Sequence, residues 1–156
     1  MSLTSAMRSP VPNRASSPAL ILLVDDNQNG VAARRAVLED LGYKVQSARS
    51  GAEALELVKQ QNFDLIVTDY KMSPVDGKKL IATLRDQNFS KPIILLSGLA
   101  NALGFSPENT RADAVIQKSA NEIAHLVRDT KRLLTPKKPS GSQRRRAPRG
   151  RTGAQA

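Results

Sequence analysis

The feature that most constrains this chain is a set of short apolar runs with no polar residue to spare for a wet face. Residues 19–24 read ALILLV, residues 64–68 carry Leu65-Ile66-Val67, and residues 92–96 carry Ile93-Ile94-Leu95-Leu96. A strand with one face in water alternates apolar and polar residues, whereas a run apolar at every position needs cover on both faces. Between the runs the apolar period changes. Residues 27–41 place Val31, Leu38 and Leu41 on one helical stripe, and Gly42 sits where a helix stop belongs. Residues 52–61 carry Ala52, Leu55 and Val58, and residues 77–87 carry Leu80, Ile81 and Leu84, both at helical spacing. Shorter strands are expected at 43–47 and 114–116. The last helix is expected over 119–134, opening on the capping-box pattern Ser119-Ala-Asn-Glu122.

Strands that alternate with helices imply a parallel sheet covered on both faces. Five such strands between residues 19 and 134 predict an α/β domain of flavodoxin-like, doubly wound architecture with strand order 2-1-3-4-5. Gly104 and Pro107 interrupt residues 99–112, so an irregular, short fourth helix is expected there. Residues 1–18 are rich in Ser and Pro, and residues 135–156 are rich in Pro, Gly and Arg. Both are read as disordered, because neither holds enough apolar surface to offset chain entropy.

Of the net charge of +10, nine units belong to these tails. Of the 24 Lys and Arg, nine lie at Arg8, Arg14, Lys137, Lys138, Arg144, Arg145, Arg146, Arg149 and Arg151, leaving 15 against all 14 carboxylates in residues 19–134. There is no cysteine, which excludes a disulfide framework, a thiolate metal site and a cysteine nucleophile. No apolar run approaches the roughly 20 residues of a membrane span, and the start of the chain lacks a signal-peptide core. A soluble cytoplasmic protein without membrane partners is therefore expected.

Ligands of open parallel sheets bind beyond the carboxyl ends of the strands. The first run is followed by Asp25-Asp26, the third strand by Asp69, the fourth by Ser97-Gly98 and the fifth by Lys118. Each is unremarkable alone: an N-cap region, a strand end, a turn, a surface lysine. Together they bring three carboxylates, a hydroxyl and an ammonium to one edge. Two carboxylates about 4 Å apart repel by roughly 4 kcal/mol at an effective dielectric of 20, so the group must protonate, separate or take up a cation. Hard oxygen donors without His or Cys favour Mg²⁺. A carboxylate beside Mg²⁺ can attack a phosphoryl donor, Lys118 can neutralise a phosphoryl oxygen and Ser97 can donate a hydrogen bond to another. His125 reads as structural or exposed, and Lys78-Lys79 as a solvated helix face.

These residues resemble the receiver domains of bacterial two-component response regulators. The resemblance spans residues 20–134 and rests on Leu22-Leu-Val-Asp-Asp26, Ile66-Val-Thr-Asp-Tyr-Lys-Met72 with Asp76-Gly77, Leu95-Leu-Ser-Gly98 and Ile116-Gln-Lys118. It implies a phosphorelay protein, not an enzyme beyond its own phosphorylation and dephosphorylation. Asp69 would accept the phosphoryl group from a sensor histidine kinase or phosphotransfer protein. Asp25, Asp26, Asp69 and the backbone carbonyl of Lys71 would bind Mg²⁺, Asp26 directly, while Ser97 and Lys118 would contact the phosphoryl oxygens. With no further globular segment after Leu134, output would pass through an unidentified downstream protein.

Three positions depart from the family. Val115 replaces an aromatic residue whose ring flips on activation, Ser119 replaces a proline often preceded by a cis bond, and Lys71 places a cation two residues after the acceptor. Other readings are an adaptor whose basic tail makes weak, unspecific nucleic-acid contacts, and a degenerate receiver acting as a constitutive interaction module. An aspartyl phosphatase of the haloacid-dehalogenase type needs a second acid two residues after its nucleophile, which neither Asp25 nor Asp69 has.

Overall fold

The computed structural model describes residues 17–135. The expected disordered segments fall outside these residues, apart from Ser17, Pro18 and Thr135. The strands are β1 (Leu20–Val24), β2 (Lys44–Ala48), β3 (Leu65–Asp69), β4 (Ile93–Ser97) and β5 (Ala114–Gln117). They form one parallel sheet in the order β2-β1-β3-β4-β5, as expected for the doubly wound fold. The helices are α1 (Gln28–Asp40), α2 (Gly51–Gln60), α3 (Gly77–Asp86), α4 (Ala100–Leu103), α5 (Pro107–Thr110) and α6 (Glu122–Leu134).

The uninterrupted runs have a direct cause. Successive strand residues point to opposite faces, and both faces are covered. Leu22, Val24, Ile66, Ile93 and Leu95 face α2 and α3, where they meet Ala54, Leu80, Ile81 and Leu84. Ile21, Leu23, Leu65, Val67, Ile94, Leu96 and Ile116 face the other way, against Val31 and Leu38 of α1 and Leu126 of α6. Each fully buried Leu or Ile contributes about 1.5–3 kcal/mol relative to exposure.

Local signals set most helix starts. Asn27, Ser50 and Asp76 accept hydrogen bonds from the backbone N–H groups of Asn29, Glu53 and Lys79. The irregular region resolves into two single-turn helices, with Gly104 at φ 67° ending α4 and Ser106 and Asn109 forming a capping box for α5.

Three local expectations need correction. Leu41 lies at the C-cap of α1, past the buried stripe, and is exposed. Ala52 is also exposed, while Gly51 and Ala54 supply the buried face of α2. The capping box at Ser119 and Glu122 does not form. Asn121 is the N-cap of α6 without a side-chain bond, and the Glu122 carboxylate is engaged by Arg34 instead. A buried guanidinium offers a carboxylate a stronger, charge-assisted bond than a neutral backbone N–H does.

Gly77 ties the core to the chemistry at the sheet edge. Its N–H donates to the Tyr70 carbonyl at 2.8 Å. A Cβ at this position would overlap the Asp69 carbonyl oxygen and come within 2.9 Å of Tyr70 Cα. Both are backbone atoms that cannot rotate away. Gly77→Ala should therefore destabilise the fold by about 2–4 kcal/mol, read as a lower urea midpoint. An unchanged midpoint would show that α3 can shift without cost.

Candidate functional site

The parallel sheet brings the carboxyl ends of β1, β3, β4 and β5 to one edge, and the chemically distinct residues stand there. Register pairs Val24 with Thr68 and Asp69 with Leu96, so Asp25 follows β1 close to the point where Asp69 ends β3. Carboxylate oxygens of Asp25, Asp26 and Asp69 all lie within 4.8 Å of one another. Asp25 and Asp69 are buried and Asp26 is exposed, which leaves the trio open on one side.

Each acid has a distinct environment. Lys118, just past β5, places Nζ 2.8 Å from Asp69 Oδ1. Asp25 accepts from the Asn27 N–H through Oδ1 at 2.9 Å and from Arg34 Nη1 through Oδ2 at 2.7 Å. Arg34 also donates from Nε to Glu122 Oε2 at 2.6 Å, joining β1, α1 and α6 in one ionic chain. Burial raises the carboxyl pKa of Asp69, and the charge of Asp25 adds to this. The hydrogen bond and charge of Lys118, with the more distant Arg34, oppose it without cancelling it. For Arg34, burial works against the charged form, but the bonds to Glu122 and Asp25 prevail and hold its pKa above the ordinary value.

Ser97 ends β4, buried, and its Oγ accepts from the Leu99 N–H at 2.9 Å. That leaves the hydroxyl proton free to donate. Lys71 follows Asp69 by two residues, exposed, in the segment leading to α3. Val115 is half-buried in the same apolar cluster as Tyr70 and Phe105. The aromatic contact near Asp69 is between these two rings, edge to face with centroids 4.8 Å apart, and Lys78 lies 5.7 Å above the Phe105 ring. The Lys118–Ser119 bond is not cis; Ser73–Pro74 is the one cis peptide among the described residues. His125 is half-buried. Among the described residues no helix is long and apolar enough to cross a membrane.

The donor set suits Mg²⁺. It consists of oxygens alone, and its charge is right. Asp25, Asp26, Asp69 and Glu122 carry four negative charges against two positive ones on Arg34 and Lys118, an excess that one divalent cation balances. Sequence alone gives Glu122 only a capping role and Arg34 none, although a signal for Arg34 exists. Val31, Arg34 and Leu38 are spaced by three and four residues, so Arg34 lies on the buried stripe of α1, where a charge requires a buried partner.

Comparison with known proteins agrees with this geometry. A structure of the response regulator TrrA from Thermotoga maritima, crystallised in complex with Mg(2+)-BeF, is 29% identical with a TM-score of 0.67, covering 74% of this chain and 99% of that one. A Francisella response regulator receiver domain is 30% identical with a TM-score of 0.65, covering 74% and 95%. The gliding motility regulatory protein of Myxococcus xanthus is 34% identical over 136 residues, which is 81% of this chain and 17% of that protein. The sensor protein EvgS of Escherichia coli O157:H7 is 42% identical over 82 residues, 53% of this chain and 7% of that protein. The chain thus spans less than a fifth of the length of these curated relatives. The sequence pattern of the response regulator receiver domain matches residues 21–128. Sheet order, acidic edge and sequence agree, and the chain belongs to the response regulator receiver domain family.

Proposed function

We propose that this chain accepts a phosphoryl group on Asp69 in a Mg²⁺-dependent reaction and signals by contact with other proteins. The observation that carries the reading is the Asp25, Asp26 and Asp69 trio within 4.8 Å, with Lys118 on the Asp69 carboxylate at 2.8 Å. Receiver domains work with sensor histidine kinases or phosphotransfer proteins, and one of these is the donor here. An Asp69 carboxylate oxygen attacks the phosphorus, the phosphorus–nitrogen bond of the donor phosphohistidine breaks, and an acyl phosphate forms. Lys118 moves from the carboxylate oxygen to a phosphoryl oxygen, and Ser97 donates its free proton to another. Asp25, Asp26, Asp69 and the Lys71 carbonyl would hold Mg²⁺, which when bound shields the developing negative charge. Water later attacks the phosphorus and restores the carboxylate. The chain thus assists its own phosphorylation and dephosphorylation without being an enzyme in the ordinary sense, and the cytoplasm, where such kinases present their phosphohistidine, is its site of action.

Incubation with Mg²⁺ and acetyl phosphate should add one phosphoryl group by intact mass, and Asp69→Asn should abolish the gain. No gain under conditions that label another receiver would sink the proposal. Lys71, two residues from the acceptor, should set how long the acyl phosphate lasts, and Lys71→Asn is expected to change that lifetime severalfold. An unchanged lifetime would count against a role for this cation.

The raised pKa of Asp69 carries a pH dependence. Its folded form holds a proton more tightly than the unfolded chain, so the stabilising contribution is complete below the ordinary value of 3.8 and is lost as pH rises through the raised one. Metal-free Asp69→Asn should therefore melt at a higher temperature than the parent at pH 7, and the gap should narrow on acidification towards that ordinary value. A gap that stayed constant from pH 7 to pH 4 would contradict this assignment.

A further inference from the structure

Arg34 is a cation in this site for which phosphoryl transfer, as described above, has no use. Its position follows from α1, whose buried stripe runs Val31, Arg34, Leu38. The side chain is 8% exposed and turns inward, and two carboxylates from distant parts of the chain receive it, Asp25 after β1 and Glu122 at the start of α6. Gly30, one turn earlier, makes room. A Cβ there would stand 3.1 Å from Arg34 Nη1 and 3.4 Å from Asp25 Oδ2.

We propose that Arg34 is a built-in counter-cation of the acidic site, which lowers its Mg²⁺ affinity by competing for Asp25, and that Glu122 sets how strongly it competes. The inference rests on the Mg²⁺-dependent reading above. Both oxygens of Asp25 already accept a hydrogen bond, one of them from the guanidinium. Mg²⁺ needs strongly basic oxygens and gives up its waters reluctantly, so a carboxylate already bound to a cation is a weaker ligand. A fixed positive charge beside the ion also repels it, and a buried charge is little screened by salt. Glu122 works in the opposite direction. By sharing the guanidinium it draws part of that charge away from Asp25. The consequence is a resting site that is partly neutralised without metal, and that takes up Mg²⁺ chiefly when a phosphoryl donor brings further negative charge.

The competition predicts opposite effects for two substitutions. In calorimetric titration of the full chain with MgCl₂, Arg34→Met should bind Mg²⁺ about tenfold more tightly than the parent, the order expected for removing one nearby unit charge. Glu122→Gln removes the second negative charge that shares the guanidinium and should weaken binding roughly threefold. A pair whose charges did not reach the metal site would give no such opposition. Circular dichroism checks the fold of each variant. If Arg34→Met does not fold, Glu122→Gln decides alone, weaker binding supporting the proposal and equal or tighter binding overturning it. Equal Mg²⁺ affinity in all three folded proteins overturns the role of Arg34 while leaving acetyl phosphate labelling of Asp69 intact. No Mg²⁺ binding by any of them overturns both readings.

Discussion

Three carboxylates held within 4.8 Å of one another form the constraint to which the rest of the site responds. At such distances each pair repels by several kcal/mol even at an effective dielectric of 20. Two acids are buried, so water relieves little of this. The fold sustains the arrangement because each buried acid has its own cation. Lys118 reaches Asp69 from β5, and Arg34 reaches Asp25 from α1. The stability of the sheet and the reactivity of its edge are therefore linked. The same apolar runs that bury both faces leave the acids nowhere to go but the carboxyl ends of the strands.

The two cations are not equivalent. Lys118 is partly exposed and bound at one point, so under the proposed function its ammonium would follow the phosphoryl group. Arg34 is buried and held at two nitrogens by two acids. Removing one partner of such a buried pair generally costs about 3–5 kcal/mol, because the remaining charge is left uncompensated. Lys118 is built to move and Arg34 to stay. That contrast separates a mobile cation on Asp69 from a fixed one on Asp25.

The route by which a change at Asp69 would spread outward is also unusual. Val115 has no ring to turn inward. Phe105, placed by the break between α4 and α5, packs its ring against Tyr70, the neighbour of Asp69. Gln117 accepts from the Asn101 N–H and donates to the Gly98 carbonyl, tying β5 to the segment that leads into α4. The residues beside Asp69 and Lys118 are thus tied down, Tyr70 by an aromatic pair and Gln117 by an amide clamp.

Much of this was legible in the chain alone, because the relevant signals are local. Continuous apolar runs specify strands buried on both faces, and the residues at the end of each run stand at the carboxyl edge of the sheet, where Asp25, Asp26, Asp69, Ser97 and Lys118 are found. Gly104 and Pro107 marked the broken helix for similarly local reasons. Tertiary structure decided what depends on partners far away in sequence. Glu122 reads as a capping residue until Arg34, 88 positions earlier, takes its carboxylate. Leu41 and Ala52 fit helical stripes but lie where no neighbour covers them. Burial and charge pairing are properties of the assembled layers, so one-dimensional spacing assigns the acids of this site, while the packing of α1 and α6 against the sheet selects the cation that holds Asp25.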